Sequence, residues 1–248
     1  TPIKSSAASD VYKRQAWDRT RHDAIAYIAE CNLTPRAKRN IARYLEHSIV
    51  YYASWMDKYR DTPEFRNVEH VSYVDADMQL VDTLRKGKTN CVVELMYAID
   101  RLKDYRNMSD SLVRLNLMYV IHIVGDMHCP SHVKYPGCKS GRADLNGKKM
   151  SYHAMWDWGV LDGAHGWSYS EYRLLLDTFS KREKAGMAKG TPREWLHETA
   201  VACRVIYDWQ RADGTYGKQF VTDTYLLPER QLILASYRLA AVLNDLFG

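Results

Sequence analysis

The 248-residue chain is 46% hydrophobic and 26% charged, ordinary figures for a globular protein, and long enough to bury a substantial core. Its formal charge of +5 is compatible with a polyanionic ligand but too mild to argue for one. No apolar run approaches the roughly 20 residues that span a bilayer, so stable membrane insertion is not expected.

Residues 1–15 carry no apolar periodicity and no hydrophobic middle region of the kind a signal peptide has. The segment 1–16 therefore reads as a non-native or pre-mature extension, and 17–248 as one domain. Residues 17–30 predict a first helix, with Ile25, Ile28 and Ala29 on one stripe and His22 near its start. Thr34-Pro35 is an N-cap followed by proline at the first helical position. It predicts a long helix through Ile41, Leu45, Ile49, Tyr52 and Met56, ending near Arg60 with Asp57 on its last turn. Thr62-Pro63 breaks it. Residues 68–80 read as extended or looped, His70, Ser72 and Asp75 interleaving with Val71 and Tyr73.

Thr89 is expected to cap a helix through Val93, Met96, Ile99 and Leu102. Ser109 or Asp110 caps the next, whose apolar run 115–121 suits burial. Residues 133–150 are rich in glycine, lysine and turn formers and predict a surface loop. Helices are expected over 168–184, over 191–210 and from Pro228 onward. Nothing resembles a repeat, a low-complexity tract or a linker. The pattern predicts an all-α protein, a single mostly helical domain of seven or so helices. Five cysteines include no CxxC pair, and Cys129 and Cys138 are close enough in sequence to bridge across a short loop.

The chemistry concentrates in His122-Ile123-Val124-Gly125-Asp126-Met127-His128-Cys129-Pro130-Ser131-His132. On a helix His122 and Asp126 share one face; Pro130 ends the helix, and His132 follows the break. Burying these groups without partners is costly, and imidazole and carboxylate are both good zinc ligands. A hydrogen-bonded His–Asp pair bracing a helical core accounts for the stretch equally well. His153 and Asp157 repeat the spacing, and His22 and Asp57 offer further ligands from elsewhere in the chain. Together they favour a multinuclear metal site over a module whose pairs only brace the core.

Trp17-x4-His22, Ala53-Ser54-Trp55-Met56-Asp57-x2-Arg60, His122-x3-Asp126-x5-His132 and His153-x2-Trp156-Asp157 occur in the order expected of one family. In these motifs the chain resembles the zinc-dependent single-strand-specific nucleases, the class I nucleases or 3′-nucleotidase/nucleases. Their superfamily includes the bacterial zinc phospholipases C. The resemblance implies the all-α fold of that superfamily and three zinc ions at the bottom of a cleft. Asp57, His122 and Asp126, with a further histidine, would hold one. His132, His153 and Asp157 would hold a second. The amino group and carbonyl of Trp17, with His22 and a shared Asp126, would hold the third. The implied reaction is hydrolysis of single-stranded DNA or RNA to 5′-nucleotides, with 3′-nucleotidase activity on mononucleotides.

The resemblance further implies that Arg60 assists the phosphate, Tyr73 stacks on a base and Asp75 orients the nucleophile. Read blandly, Arg60 is a solvated helix end and Tyr73 a core aromatic. Three departures matter. Ser72 stands where the family has a histidine, and His70, two residues earlier, points the same way on an extended segment, so it is the expected ligand. Cys129 stands where glutamine is frequent, and is expected to affect packing more than metal affinity. The amino group of Trp17 can bind metal only as a free amine. The mature chain is therefore expected to begin there, after loss of an export signal, and to be a secreted or periplasmic monomer. Zinc-dependent phospholipase C is the alternative; that branch typically ends its last metal motif in Glu, where this chain has Asp157, and has a shorter interval before it.

Overall fold

The computed structural model describes residues 19–82 and 89–248. Trp17 lies outside them. The first helix, Arg19–Cys31, buries Ala24, Ile25, Ile28 and Ala29 and packs along the C-terminal helix Leu226–Phe247. Between and beside them runs the central helix Asp110–Asp126, where every residue from Asn116 to Asp126 is buried. Helix Cys91–Leu102 covers another of its flanks, capped by the Asn90 side chain, which accepts from Val92 N at 3.2 Å, rather than by Thr89. The fold is all-α with a few short strands, as the periodicity predicts.

The long helix expected from Thr34 to Arg60 is three short ones, Pro35–Ile41, Ile49–Tyr52 and Trp55–Lys58. Glu30, on the first helix, accepts from Ser48 Oγ at 2.9 Å and Ile49 N at 3.2 Å, and Ser48 itself caps Val50 N at 3.1 Å. That arrangement restarts the chain while Ile41, Leu45, Ile49, Tyr52 and Met56 all stay buried. Consequently Ala53 O is free to accept from His122 Nδ1 at 2.7 Å, and Asp57 reaches the interior. Helices expected over 168–184 and 191–210 also divide. Ser168/Glu171, Ser180/Glu183 and Thr191/Glu194 form capping boxes that open Tyr169–Leu176, Lys181–Met187 and Pro192–Cys203.

The stretch 133–150 is not a plain surface loop. Val133–Lys134 pairs in parallel with Ser72–Tyr73, and Arg142–Leu145 pairs antiparallel with Lys148–Ser151. Asn146 and Gly147, with φ of 53° and 85°, make the two-residue hairpin turn that Asn-Gly favours. Thr215–Tyr216 adds a third strand. The hairpin packs through Ala143 and Leu145 on Tyr152, Trp156, Tyr216 and Phe220, a second apolar cluster beside the main core. His153 and Asp157 do not share one regular helix: Tyr152–Ala154 passes into a π-helical turn, Met155–Gly159. All five cysteines are free, so Cys129 and Cys138 are not bridged. Among the described residues no helix is long and apolar enough to cross a membrane.

Candidate metal centre

The buried end of the central helix gathers ligand groups from five other parts of the chain. His122 Nε2 and Asp126 Oδ2 are 3.0 Å apart on its inner face. The first helix brings His22, whose ring stacks on His122 with centroids 4.2 Å apart. This approach requires Gly125, since a Cβ there would lie 2.9 Å from His22 Nδ1. His70 enters from the bend before the Ser72–Tyr73 strand, its Nδ1 3.1 Å from His122 Nε2 and 3.0 Å from Asp126 Oδ2. Asp57 Oδ1 lies 3.6 Å from the same nitrogen. Ser72 Oγ meets Cys91 Sγ at 3.1 Å and is in none of the candidate metal groups among the described residues.

Past the helix end, Pro130–His132 forms a tight turn that carries His132 back beneath Asp126. His132 Nδ1 is 3.3 Å from Asp126 Oδ1, and Nε2 is 3.4 Å from Asp157 Oδ1. His153 stacks on His132 with centroids 4.9 Å apart, and its Nδ1 donates to Ser131 O at 3.2 Å, which leaves Nε2 as the lone-pair nitrogen. Cys129 Sγ lies 3.4 Å from Asp157 Oδ1.

Electrostatics divide these groups sharply. Burial raises and the neighbouring His122 and His132 lower the Asp126 carboxyl, with the net result well below the ordinary range. Burial opposes charge on His122, but Asp126 and Asp57 raise its pKa to about 9. His132 is likewise raised against burial, with Cys129 and Asp126 facing it. Burial and the charge on His122 lower His22; burial, His132 and Lys134 lower His153 to about 3. Burial pushes the Asp157 carboxyl up to about 6 and the Cys129 thiol up as well.

The donor set fits zinc. His22 Nε2, His70 Nε2, both nitrogens of His132, Asp126 Oδ1 and Asp157 Oδ2 are buried without a hydrogen-bond partner, a costly state unless something else binds them. Two N or O ligands at zinc bond lengths in a tetrahedron lie about 3.3 Å apart. The His22–Asp126, His132–Asp126 and His132–Asp157 separations of 3.3, 3.3 and 3.4 Å are of that size. Three groups bring their ligand atoms within 4.8 Å of one another: His22 with Asp57 and His122, His70 with His122 and Asp126, and Cys129 with His132 and Asp157.

The centre forms the floor of an open cleft of about 2170 Å³ lined by Arg60, His70, His132, His153 and Asp157, with Lys134, Arg142, Lys148, Lys149 and Arg211 also on its walls. Arg60 Nη2 donates to Asp57 Oδ1 at 2.8 Å while its side chain stays 38% exposed. Neither Tyr73 nor Asp75 lines the cleft. Tyr73 is half-buried in its strand, and exposed Asp75 accepts from Asp77 N and Gln79 N through Oδ1, at 2.9 and 2.8 Å, closing its own turn. The hairpin's contribution to the cleft has one local signal, the Asn146-Gly147-Lys148-Lys149 run.

These groups, on a helical scaffold, are candidate metal-binding sets. The S1/P1 Nuclease family model matches residues 17–248, and the chain belongs to that family, whose members are hydrolases of the nuclease class. Endonuclease 2 of Arabidopsis thaliana is 25% identical, the match covering 94% of this chain and 91% of the relative. Endonuclease 4 of the same plant is 22% identical over 94% and 89%. Nuclease S1 of Aspergillus oryzae (strain ATCC 42149 / RIB 40) is 25% identical over 78% and 72%.

Proposed function

We propose that the protein is a zinc-dependent phosphodiesterase that hydrolyses single-stranded DNA or RNA to 5′-nucleotides, with 3′-nucleotidase activity on mononucleotides. The observation that carries the proposal is the cluster of buried, unpartnered imidazole and carboxylate atoms on the cleft floor. Asp57, His70, His122 and Asp126 would hold one ion, and His132, His153 and Asp157 a second. His22 and Asp126 would serve a third, with Trp17 as the ligand that the resemblance adds. Bound zinc supplies Lewis acidity for the phosphoryl oxygens and lowers the pKa of an attacking water. The chain does the rest by position. Asp126 offers one oxygen to the His70–His122 side and the other to the His22–His132 side, so one carboxylate ties the centre together. Arg60, fixed by Asp57 and half-exposed at the cleft, places a permanent cation where a phosphate would enter.

A cleft of about 2170 Å³ exceeds the ~300–1,000 Å³ of small-molecule pockets and suits a polymer. The Arabidopsis and Aspergillus relatives are named as nucleases, which supports the nucleic-acid substrate over a phospholipid. Export from the cytoplasm is what the resemblance implies. Heat-denatured and duplex DNA, incubated in parallel with protein of measured zinc content, test the proposal. Stoichiometric zinc and selective release of nucleotides from the denatured strand are expected. Zinc-free protein, or phosphocholine released from lecithin without nucleotide release from DNA, would overturn it.

A further inference from the structure

We propose that Cys129 is itself a metal ligand, binding one ion of the centre through its sulfur beside His132 and Asp157. The inference rests on the zinc reading above and extends it with a soft donor that the family resemblance does not supply.

The local backbone fixes the position. Cys129 N donates to Asp126 O at 3.0 Å and His132 N donates to Cys129 O at 3.0 Å, so the residue is clamped between two other members of the centre. Its backbone is extended, with φ of −69° and ψ of 126°, and its side chain is fully buried. Sγ lies 3.4 Å from Asp157 Oδ1, and His132 Nε2 lies 3.4 Å from the same oxygen. For a tetrahedral zinc with Zn–S of about 2.3 Å and Zn–O of about 2.0–2.2 Å, the sulfur–oxygen edge is about 3.5–3.7 Å, close to the separation here. Without metal the thiol donates to Asp157 Oδ1 across this separation, but that hydrogen bond leaves Asp157 Oδ2 and both His132 nitrogens buried and unpartnered next to it. With His153 stacked against His132 on the cleft side, the set becomes two imidazoles, one carboxylate and one sulfur.

Cys91 provides the internal contrast. It is equally buried and, like Cys129 with Ser131 Oγ at 3.4 Å, meets a serine hydroxyl, Ser72 Oγ at 3.1 Å, but it joins none of the candidate metal groups among the described residues. Binding replaces the thiol proton of Cys129, which leaves to solvent, so no oxidant or reductant is needed. A thiolate donates more charge than the glutamine frequent at this position. The ion it binds should be held more firmly and should favour softer metals.

X-ray absorption at the zinc edge of the wild-type protein tests this directly. A sulfur shell at about 2.3 Å is expected beside the nitrogen and oxygen shells. Cobalt-substituted protein should show a near-ultraviolet thiolate-to-cobalt charge-transfer band that survives in Cys91→Ser and disappears in Cys129→Ser. Bound zinc with only nitrogen and oxygen neighbours would overturn the inference and leave the nuclease reading standing. Absence of bound zinc would overturn both. A band that persists in Cys129→Ser, or one that is lost in Cys91→Ser, would also overturn it. The absorption measurement needs no variant, so a Cys129→Ser protein that failed to fold would not block the decision.

Discussion

His128 stands between Asp126 and Cys129 yet turns away from the metal centre, and its burial makes folding acid-sensitive. Its Nδ1 donates to Val124 O at 2.7 Å, which fixes Nε2 as an acceptor for Arg238 Nη1 at 2.8 Å. Arg238 is itself buried, pairs with Glu198 and lies over the Trp195 ring. A proton on His128 would therefore set two cations against each other in the interior. Burial and Arg238 together lower its pKa from 6.5 to about 3. The depressed folded value means stability is fully present above pH 6.5 and is lost as pH falls toward 3, because only the unfolded chain takes up the proton. Each unit well inside that window costs about 1.4 kcal/mol and the unfolded His is half protonated at pH 6.5, so falling from there to about 4.5 should remove about 2 kcal/mol through this one residue. Urea unfolding of chelator-treated wild type and His128→Gln at the two pH values measures the difference. Glutamine keeps an acceptor for Arg238 and removes the titration, so the variant should lose about 2 kcal/mol less than wild type over the interval. Equal losses in the two proteins would refute the reasoning.

Asp126→Asn should abolish nucleotide release and lower zinc content by more than one equivalent per chain, measured by metal analysis, because both oxygens of Asp126 face imidazoles of the centre. His70→Ala should reduce zinc content and turnover while Ser72→Ala stays mild, since Ser72 faces Cys91; the reverse ranking would move the ligand to Ser72. Gly125→Ala puts a methyl 2.9 Å from His22 Nδ1. It should cost ~1–3 kcal/mol in urea unfolding and weaken the ion bound by His22. Zinc affinity should rise with pH through about 9, because the metal-free centre keeps protons on His122 and His132 that zinc must displace. Calorimetric titrations in buffers of different ionisation enthalpy would reveal the released protons, and pH-independent affinity would contradict the assignment.

The central helix was legible because a buried run leaves the sequence no polar face to hide. Once that run is helical, His122 and Asp126 must meet, and they stand 3.0 Å apart. The helix expected from Thr34 to Arg60 misled for the opposite reason. Leu45, Ile49, Tyr52 and Met56 keep a helical spacing because all four face one core, but that core is satisfied by three short pieces as well as by one. The break is set by Glu30, a partner that no local window contains. Two other breaks were written locally. Ser180-x2-Glu183 is a capping box inside the helix expected over 168–184, and Asn146-Gly147 is a hairpin turn inside the expected loop.

The centre itself shows where local rules stop carrying information about chemistry. Strand alternation is the argument that links His70 to Ser72, yet only Ser72 and Tyr73 are in a strand, and His70 reaches the centre from a bend. Its nitrogen arrives 3.0 Å from Asp126 Oδ2 through the path of the whole segment, held by the parallel pairing with Val133–Lys134. Cys129 is the same case in reverse. Its neighbours in sequence suggest a packing residue, whereas its neighbour in space is Asp157, twenty-eight positions away and carried on a π-helical turn. A buried cluster of this kind is defined by what its members leave unsatisfied. Spacing can propose the donors, but it is the unpartnered atoms of His22, His132, Asp126 and Asp157 that support the proposal of a bound ion.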